Sequence, residues 1–173
     1  MSRIMICGLN GSGKTTLGKE LSKKINFLHK DVEEYYFNNT NTDYKYNSSA
    51  TKEEVTQKIE KDINECDNIV FTSCKGDYGN SSELYDFAIF IRLDKETRLK
   101  RVKQRSYKQF GDRILENGDL FERENQFFDK VYKRDESDII EWFNNLKCRK
   151  LEVNGLRTVE ENVNIILNKL KEI

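Results

Sequence analysis

Eight residues, Gly8-Leu9-Asn10-Gly11-Ser12-Gly13-Lys14-Thr15, have the types and spacing of a phosphate-binding loop, G-x-x-x-x-G-K-[ST]. The glycines let main-chain N–H groups converge on one concavity, and the positive end of a following helix adds to its attraction for phosphate. In such a loop Lys14 reaches the β and γ phosphates of a nucleoside triphosphate, and the Thr15 hydroxyl holds Mg²⁺. Gly8, Asn10, Gly11, Ser12, Gly13, Lys14, Thr15 and Thr16 are therefore the expected nucleotide-binding residues, with ATP and Mg²⁺ as the expected cofactors. The same glycines do not fit G-x-G-x-x-G, which disfavours a dinucleotide fold.

Phosphoryl transfer to a hydroxyl also needs a proton acceptor. His29 is the only histidine, so His-based triads and His-rich metal sites drop out and any general base must be a carboxylate. Asp31, in the run Asp31-Val32-Glu33-Glu34, is the first candidate for that base. Glu33 is expected at a substrate hydroxyl or a metal-bound water, or, with Glu34, as a plain helix N-terminal acid. After the next strand formers come Ser73-Cys74-Lys75-Gly76-Asp77, where Ser73 and Asp77 compete with Asp31 for the metal. Lys75, Gly76 and Asp77 there either contact the phosphoryl acceptor or form an exposed turn. Arg98, Arg101 and Arg105 recur at i, i+3 and i+7 on one helical face. Arg101, Arg105 and the later Arg113 are candidates for stabilising transition-state charge, and the plainer alternative is a solvated helix face. Between Arg3 and Arg92 there is no arginine, and Lys45, Lys52 and Lys75 are less specific point charges, so the acceptor half lacks a bidentate anion clamp. With Asp31, Glu33 and Glu34 nearby, this favours a neutral or cationic acceptor hydroxyl.

The elements that must position these groups alternate regularly. Apolar runs near 3–7, 26–29, 68–73, 86–92 and 149–153 read as buried parallel strands, separated by helical patterns near 14–25, 51–66, 95–109, 120–134, 136–146 and 158–172. The pattern predicts an α/β fold with a five-stranded parallel doubly wound sheet and one domain over 1–173, its cleft at the carboxyl ends of the strands. Two stretches interrupt it. The polar, Asn-rich segment at 38–50 is either an acceptor flap or a tolerant surface insertion, and 106–119, with its glycines, is expected to act as a lid.

Composition narrows the function classes. Net charge is zero with 35% charged residues, so no global basic field draws the chain to nucleic acid or an anionic membrane. The start has no signal-peptide architecture, and no apolar run approaches the ~20 residues that span a bilayer, so a cytoplasmic protein is expected, a monomer or homodimer. Cys7, Cys66, Cys74 and Cys148 lack C-x-x-C spacing and read as reduced thiols.

Together the phosphate loop, the acids after strand two, Arg101 to Arg105 before the lid, and Leu151-Glu152-Val153-Asn154-Gly155 before the last helix resemble the small P-loop kinases typified by adenylate, shikimate and gluconate kinases. The similarity covers essentially the whole chain. More narrowly, Asp31 to Phe37, Lys75 to Gly79 and Phe110-Gly111-Asp112-Arg113 are similar to a bacterial group of adenylate-kinase-like ATPases. The resemblance implies ATP-dependent phosphotransfer to a small molecule, and an adenine pocket between the lid-side arginines and the loop after Asn154. There are departures: no D-G-[FY]-P-R follows strand three, as nucleoside monophosphate kinases usually have, and neither the D-x-D nor the triple glycine of shikimate kinases is present. A small-molecule hydroxyl kinase is the expectation, with a nucleoside monophosphate kinase and an NTPase switch as alternatives. A nucleic-acid end kinase is disfavoured by the zero net charge.

Overall fold

The computed structural model of the chain describes residues 2–37 and 49–172. Strand β1 (Ser2–Cys7) shows how the sheet is buried on both faces: Ile4 and Ile6 face one side, Met5 and Cys7 the other, and all four are buried. Ile4 and Ile6 pack with Leu17 and Leu21 of helix α1 (Lys14–Ile25) and with Val163 and Ile166 of α8 (Val159–Lys171). Met5 and Cys7 pack with Val55 and Ile59 of α3 (Lys52–Glu65) and with Ile139 and Phe143 of α7 (Ser137–Asn145). Period-two strands carrying apolar residues on both faces give helix layers on both faces.

The remaining strands are β2 (Leu28–Asp31), β3 (Asn68–Thr72), β4 (Phe87–Arg92) and β5 (Arg149–Asn154), and the order β2-β3-β1-β4-β5 is parallel throughout. From β1 the chain passes to the edge strand β2, returns to β3 beside β1, and then crosses to β4 and β5 on the other side, so the switch point lies where β1 ends, at the phosphate loop. The second strand begins two residues later than its apolar run suggested. Asn26 caps α1 in the left-handed conformation (φ 55°) and Phe27 N–H bonds the Ser22 carbonyl at 2.9 Å, so both residues belong to the helix end. Asp31 consequently ends the strand and N-caps a short helix, α2 (Val32–Tyr36), with Glu33 and Glu34 in its first turn, as the plainer of the two expectations for them had it. Another short helix, α4 (Ser81–Leu84), precedes β4.

Helices α5 (Lys95–Phe110) and α6 (Phe121–Lys133) carry a third apolar cluster, with Val102, Phe128 and Val131 packing on Ile114 and Leu120. The expected lid at 106–119 therefore starts inside a helix. Only the 3₁₀ turn Gly111–Ile114 and the residues to 119 leave α5, and Ile114 is anchored in the cluster. Most of the expected flap, 38–48, lies outside the described residues. Ala50, at its end, donates its N–H to the Tyr36 carbonyl at 3.0 Å. Among the described residues no helix is long and apolar enough to cross a membrane.

Candidate active site

The phosphate loop runs from the end of β1 to the start of α1 over the carboxyl edge of the sheet. Gly11 has φ 83°, and a Cβ there would lie 2.4 Å from the Arg98 carbonyl oxygen, so the loop and the backbone of α5 touch with no room for a side chain. Gly13 (φ 101°) occupies the N-cap of α1 with no side-chain cap, which leaves the first helical N–H groups for a ligand. Lys14 Nζ bonds the Leu9 carbonyl at 3.1 Å. A cavity of about 450 Å³ opens above the loop, walled by Lys14, Thr15, Asp31, Glu33, Arg101 and Arg105 among others. The loop, with its uncapped helix start and a lysine at its edge, has the shape and charge of a polyphosphate cradle.

Asp31 is the best-fixed acid in this cavity. It is 6% exposed; its Oδ2 accepts from Thr15 Oγ1 at 2.6 Å and from Thr72 Oγ1 at 2.8 Å, while its Oδ1 accepts from Glu33 N–H at 2.9 Å. Because the Thr72 hydroxyl proton is directed to Asp31, the 3.2 Å contact between His29 Nε2 and Thr72 Oγ1 requires the histidine to donate. Burial pushes the His29 imidazole below its ordinary pKa, against a smaller upward pull from Asp31. The Thr15 hydroxyl and the Asp31 carboxylate are hard oxygen donors side by side, and Mg²⁺ takes one or two protein oxygens together with phosphate and water. These residues therefore fit the ion. Glu33, one turn of chain further, lines the same cavity from α2.

Two further cavities adjoin it. One, about 460 Å³, lies between the phosphate loop and the start of α8, where Arg101, Leu156, Arg157 and Thr158 form its walls. Arg101 Nη2 donates to the Gly155 carbonyl at 3.0 Å, and so lies where the phosphate cavity meets this space. It is the region between the arginine helix and the loop after Asn154, where the sequence resemblance put the adenine. The other, about 360 Å³, lies between α2, α5 and α6. It shares Asn10, Glu33 and Arg105 with the phosphate cavity, so the two cavities adjoin at these residues. Arg101 and Arg105, one helical turn apart, thus stand at the two junctions. Arg98, their neighbour on the same face, is buried with its Nε on the Leu93 carbonyl at 3.2 Å and serves packing under the loop.

Several expected residues lie elsewhere. Asp77 pairs with Lys75 at 3.0 Å and neither lines the phosphate cavity or the one between α2, α5 and α6. Gly76 is buried, its carbonyl accepting from Ser81 Oγ at 2.7 Å and Tyr85 OH at 3.1 Å. A Cβ on it would meet Met5 and Trp142 at about 3 Å, so it packs the core. Ser73 Oγ contacts Tyr78 OH at 3.2 Å. Arg113 is held by Asp119 in a bidentate pair, 3.0 Å and 2.7 Å, on the exposed turn. In the opposite sense, the arginine gap between Arg3 and Arg92 does not leave the cavity between α2, α5 and α6 without cations, because α6 supplies Arg123 and Lys130. Arg123, Gln126, Phe127 and Lys130 recur at i, i+3, i+4 and i+7, a face that the sequence displays and that only the position of α6 makes meaningful. Arg134, just past α6, reaches Asn10 Oδ1 at 3.4 Å across the loop. Burial pushes the Cys7 and Cys148 thiols up, as suits reduced core cysteines.

Strand order and phosphate loop together define the architecture of a small P-loop kinase. Residues 4–124 match the AAA domain family model, and the chain belongs to that family. Shikimate kinase of Enterococcus faecalis (strain ATCC 700802 / V583) is 28% identical over 99% of this chain and 100% of its own. The uncharacterized protein YqaC of Bacillus subtilis (strain 168) is 24% identical over 96% of each chain. Among solved structures, shikimate kinase from Acinetobacter baumannii in complex with shikimate superposes with a TM-score of 0.65 at 13% identity, covering 99% of this chain and 94% of that one.

Proposed function

We propose that the protein transfers the γ-phosphoryl group of ATP to a hydroxyl of a small molecule. The observation that carries this reading is the shared wall: Asn10, Glu33 and Arg105 line both the phosphate cavity and the cavity between α2, α5 and α6, so a donor in the one and an acceptor in the other would meet at these residues. The likeness to a shikimate kinase over the full length of both chains supports phosphotransfer to a small molecule as the reaction class.

In this reading Thr15 and Asp31 would hold Mg²⁺, which would supply charge screening for the phosphates. Lys14 and the loop N–H groups hold the β and γ phosphates, Arg101 spans phosphate and base, and Arg105 faces the group in transfer. Glu33 takes the proton of the attacking hydroxyl. Its oxygen forms a bond to Pγ as the bond from Pγ to the bridging oxygen of ADP breaks, and ADP leaves with the electron pair. We assign the base role to Glu33 in preference to Asp31, because three protein donors already occupy the Asp31 oxygens, whereas Glu33 stands at the junction of the two cavities. Proton transfer to a positioned carboxylate contributes about 10²–10⁴ in rate. The test is ADP formation from Mg-ATP with and without a panel of hydroxyl compounds. Acceptor-stimulated turnover that Glu33→Gln lowers within that range supports the reading, and ADP formation indifferent to every compound refutes it.

A further inference from the structure

We propose that the acceptor is a nucleoside, a proposal that rests on the phosphotransfer reading above. The 360 Å³ cavity has two chemically different parts. Toward the phosphate loop stand Asn10, Glu33 and Arg105, the groups shared with the phosphate cavity. The rest of the wall combines the rings of Phe37, Phe110 and Phe127 with the carboxamides of Gln109 and Gln126 and the charged groups of Arg123, Glu124 and Lys130. Phe110 and Phe127 are held in place by the apolar cluster of α5 and α6, and the buried Ser106, one turn before Phe110, adds little bulk.

That second part is poorly matched to a polyol or a sugar acid. The polar groups of the wall could hold its hydroxyls or carboxylate, but such a molecule has no flat apolar face to cover the three phenyl rings. A nucleobase meets both features at once. Its face stacks on aromatic rings, and its edge presents adjacent donors and acceptors of the kind a glutamine carboxamide pairs with. With the base among the rings, the sugar lies toward Asn10 and Glu33, and its primary hydroxyl is the one that faces the phosphate cavity.

Charge separates a nucleoside from a nucleoside monophosphate. The charged groups of this wall are Arg105, Arg123 and Lys130 against Glu33 and Glu124, an excess of one positive charge. With Arg105 facing the group in transfer, that excess is taken up by the donor phosphate, and none is left for the two negative charges of a second one. The reaction is then ATP plus nucleoside to ADP plus nucleoside monophosphate. The sugar O–Pγ bond forms, the Pγ–O bond to ADP breaks, and the hydroxyl proton passes to Glu33 and on to solvent.

The full chain with Mg-ATP is assayed for ADP and for phosphorylated product against ribo- and deoxynucleosides of each base, the matching monophosphates, shikimate and gluconate. The expected result is that at least one nucleoside raises ADP formation tenfold or more and appears as its monophosphate. Gln126→Ala, at an exposed position on α6 that folding tolerates, should raise the KM for that nucleoside severalfold without moving the KM for ATP. Phe127→Leu should do the same. Preferential phosphorylation of shikimate, gluconate or a monophosphate, with nucleosides silent, overturns the nucleoside assignment while upholding phosphotransfer. A nucleoside KM unmoved in both variants also overturns it. ADP formation indifferent to every compound overturns the parent reading and this one together.

Discussion

Replacing Asp31 by asparagine tests the best-defined network in the site. The side chain is 6% exposed, so its interactions are little screened by solvent. In the parent, Oδ2 receives two hydroxyl protons, from Thr15 at 2.6 Å and Thr72 at 2.8 Å, and Oδ1 caps α2 through Glu33 N–H at 2.9 Å. Asparagine can keep the cap with its carbonyl oxygen, but its NH₂ then faces the two hydroxyls, which must both turn round to accept. Thr72 is left with the Lys30 carbonyl at 3.4 Å for its proton, or with His29 Nε2 at 3.2 Å once the imidazole changes tautomer. Two hydrogen bonds to a charged acceptor, about 1.5–3 kcal/mol each, are exchanged for neutral ones worth about 0.5–1.5 kcal/mol, a net loss of about 2 kcal/mol. At this chain length that lowers Tm by about 4–8 °C. Thermal melts of both proteins, alone, with ATP, and with ATP and Mg²⁺, provide the assay. ATP without metal should stabilise the variant as it does the parent, since the phosphate loop is untouched, while the additional gain from Mg²⁺ should be lost. An unchanged Tm together with an undiminished Mg²⁺ increment would refute the reasoning about Asp31.

Lys14→Ala should remove most of the stabilisation by Mg-ATP, which in the parent amounts to about 2.7 kcal/mol at a hundredfold excess over Kd, and a melt with saturating nucleotide checks it. Arg101→Lys should chiefly raise the KM for ATP, because Arg101 ties the base-side loop through the Gly155 carbonyl. Arg105→Lys should chiefly lower kcat, because it stands at the donor–acceptor junction, and steady-state kinetics of the two variants separate these effects. The buried imidazole of His29 resists protonation, with its pKa displaced below the usual value of about 6.5. Between those two values the unfolded chain binds a proton that the folded chain refuses. Its contribution is therefore complete above pH 6.5 and is lost as pH falls through that value. Urea titrations at pH 7.5 and 5.5 should show this loss in the parent and a smaller one in His29→Gln.

The sequence was most legible where local pattern and global fold agree. All five strands could be anticipated because each is a short apolar run bounded by turn residues, and the phosphate loop because its glycines meet local backbone demands. Boundaries failed where a cap overruled hydropathy: Asn26 and Phe27 look like strand but close α1, which moved β2 onto Asp31 and changed what that acid touches. Short helices such as α2 and α4 have too few residues to show a period. The acceptor wall was hidden for a different reason. Arg123, Gln126, Phe127 and Lys130 share a helical face in any reading, but nothing local says that α6 lines one cavity with α2, so the cations that the first half of the chain lacks come from the second. For Lys75 and Asp77 the sequence left an acceptor contact and an exposed turn open; near the end of β3, they pair with each other and line neither the phosphate cavity nor the one beside it, as the turn reading has it.

The fate of the γ-phosphoryl group tests the central claim most directly. With ATP labelled in that group, the purified chain and an acceptor found in the panel, quenched time courses should show the label leaving ATP and appearing covalently on the acceptor, one for each ADP formed. Label released as inorganic phosphate at the same rate with and without acceptor would contradict phosphotransfer and make the protein an ATP-hydrolysing switch.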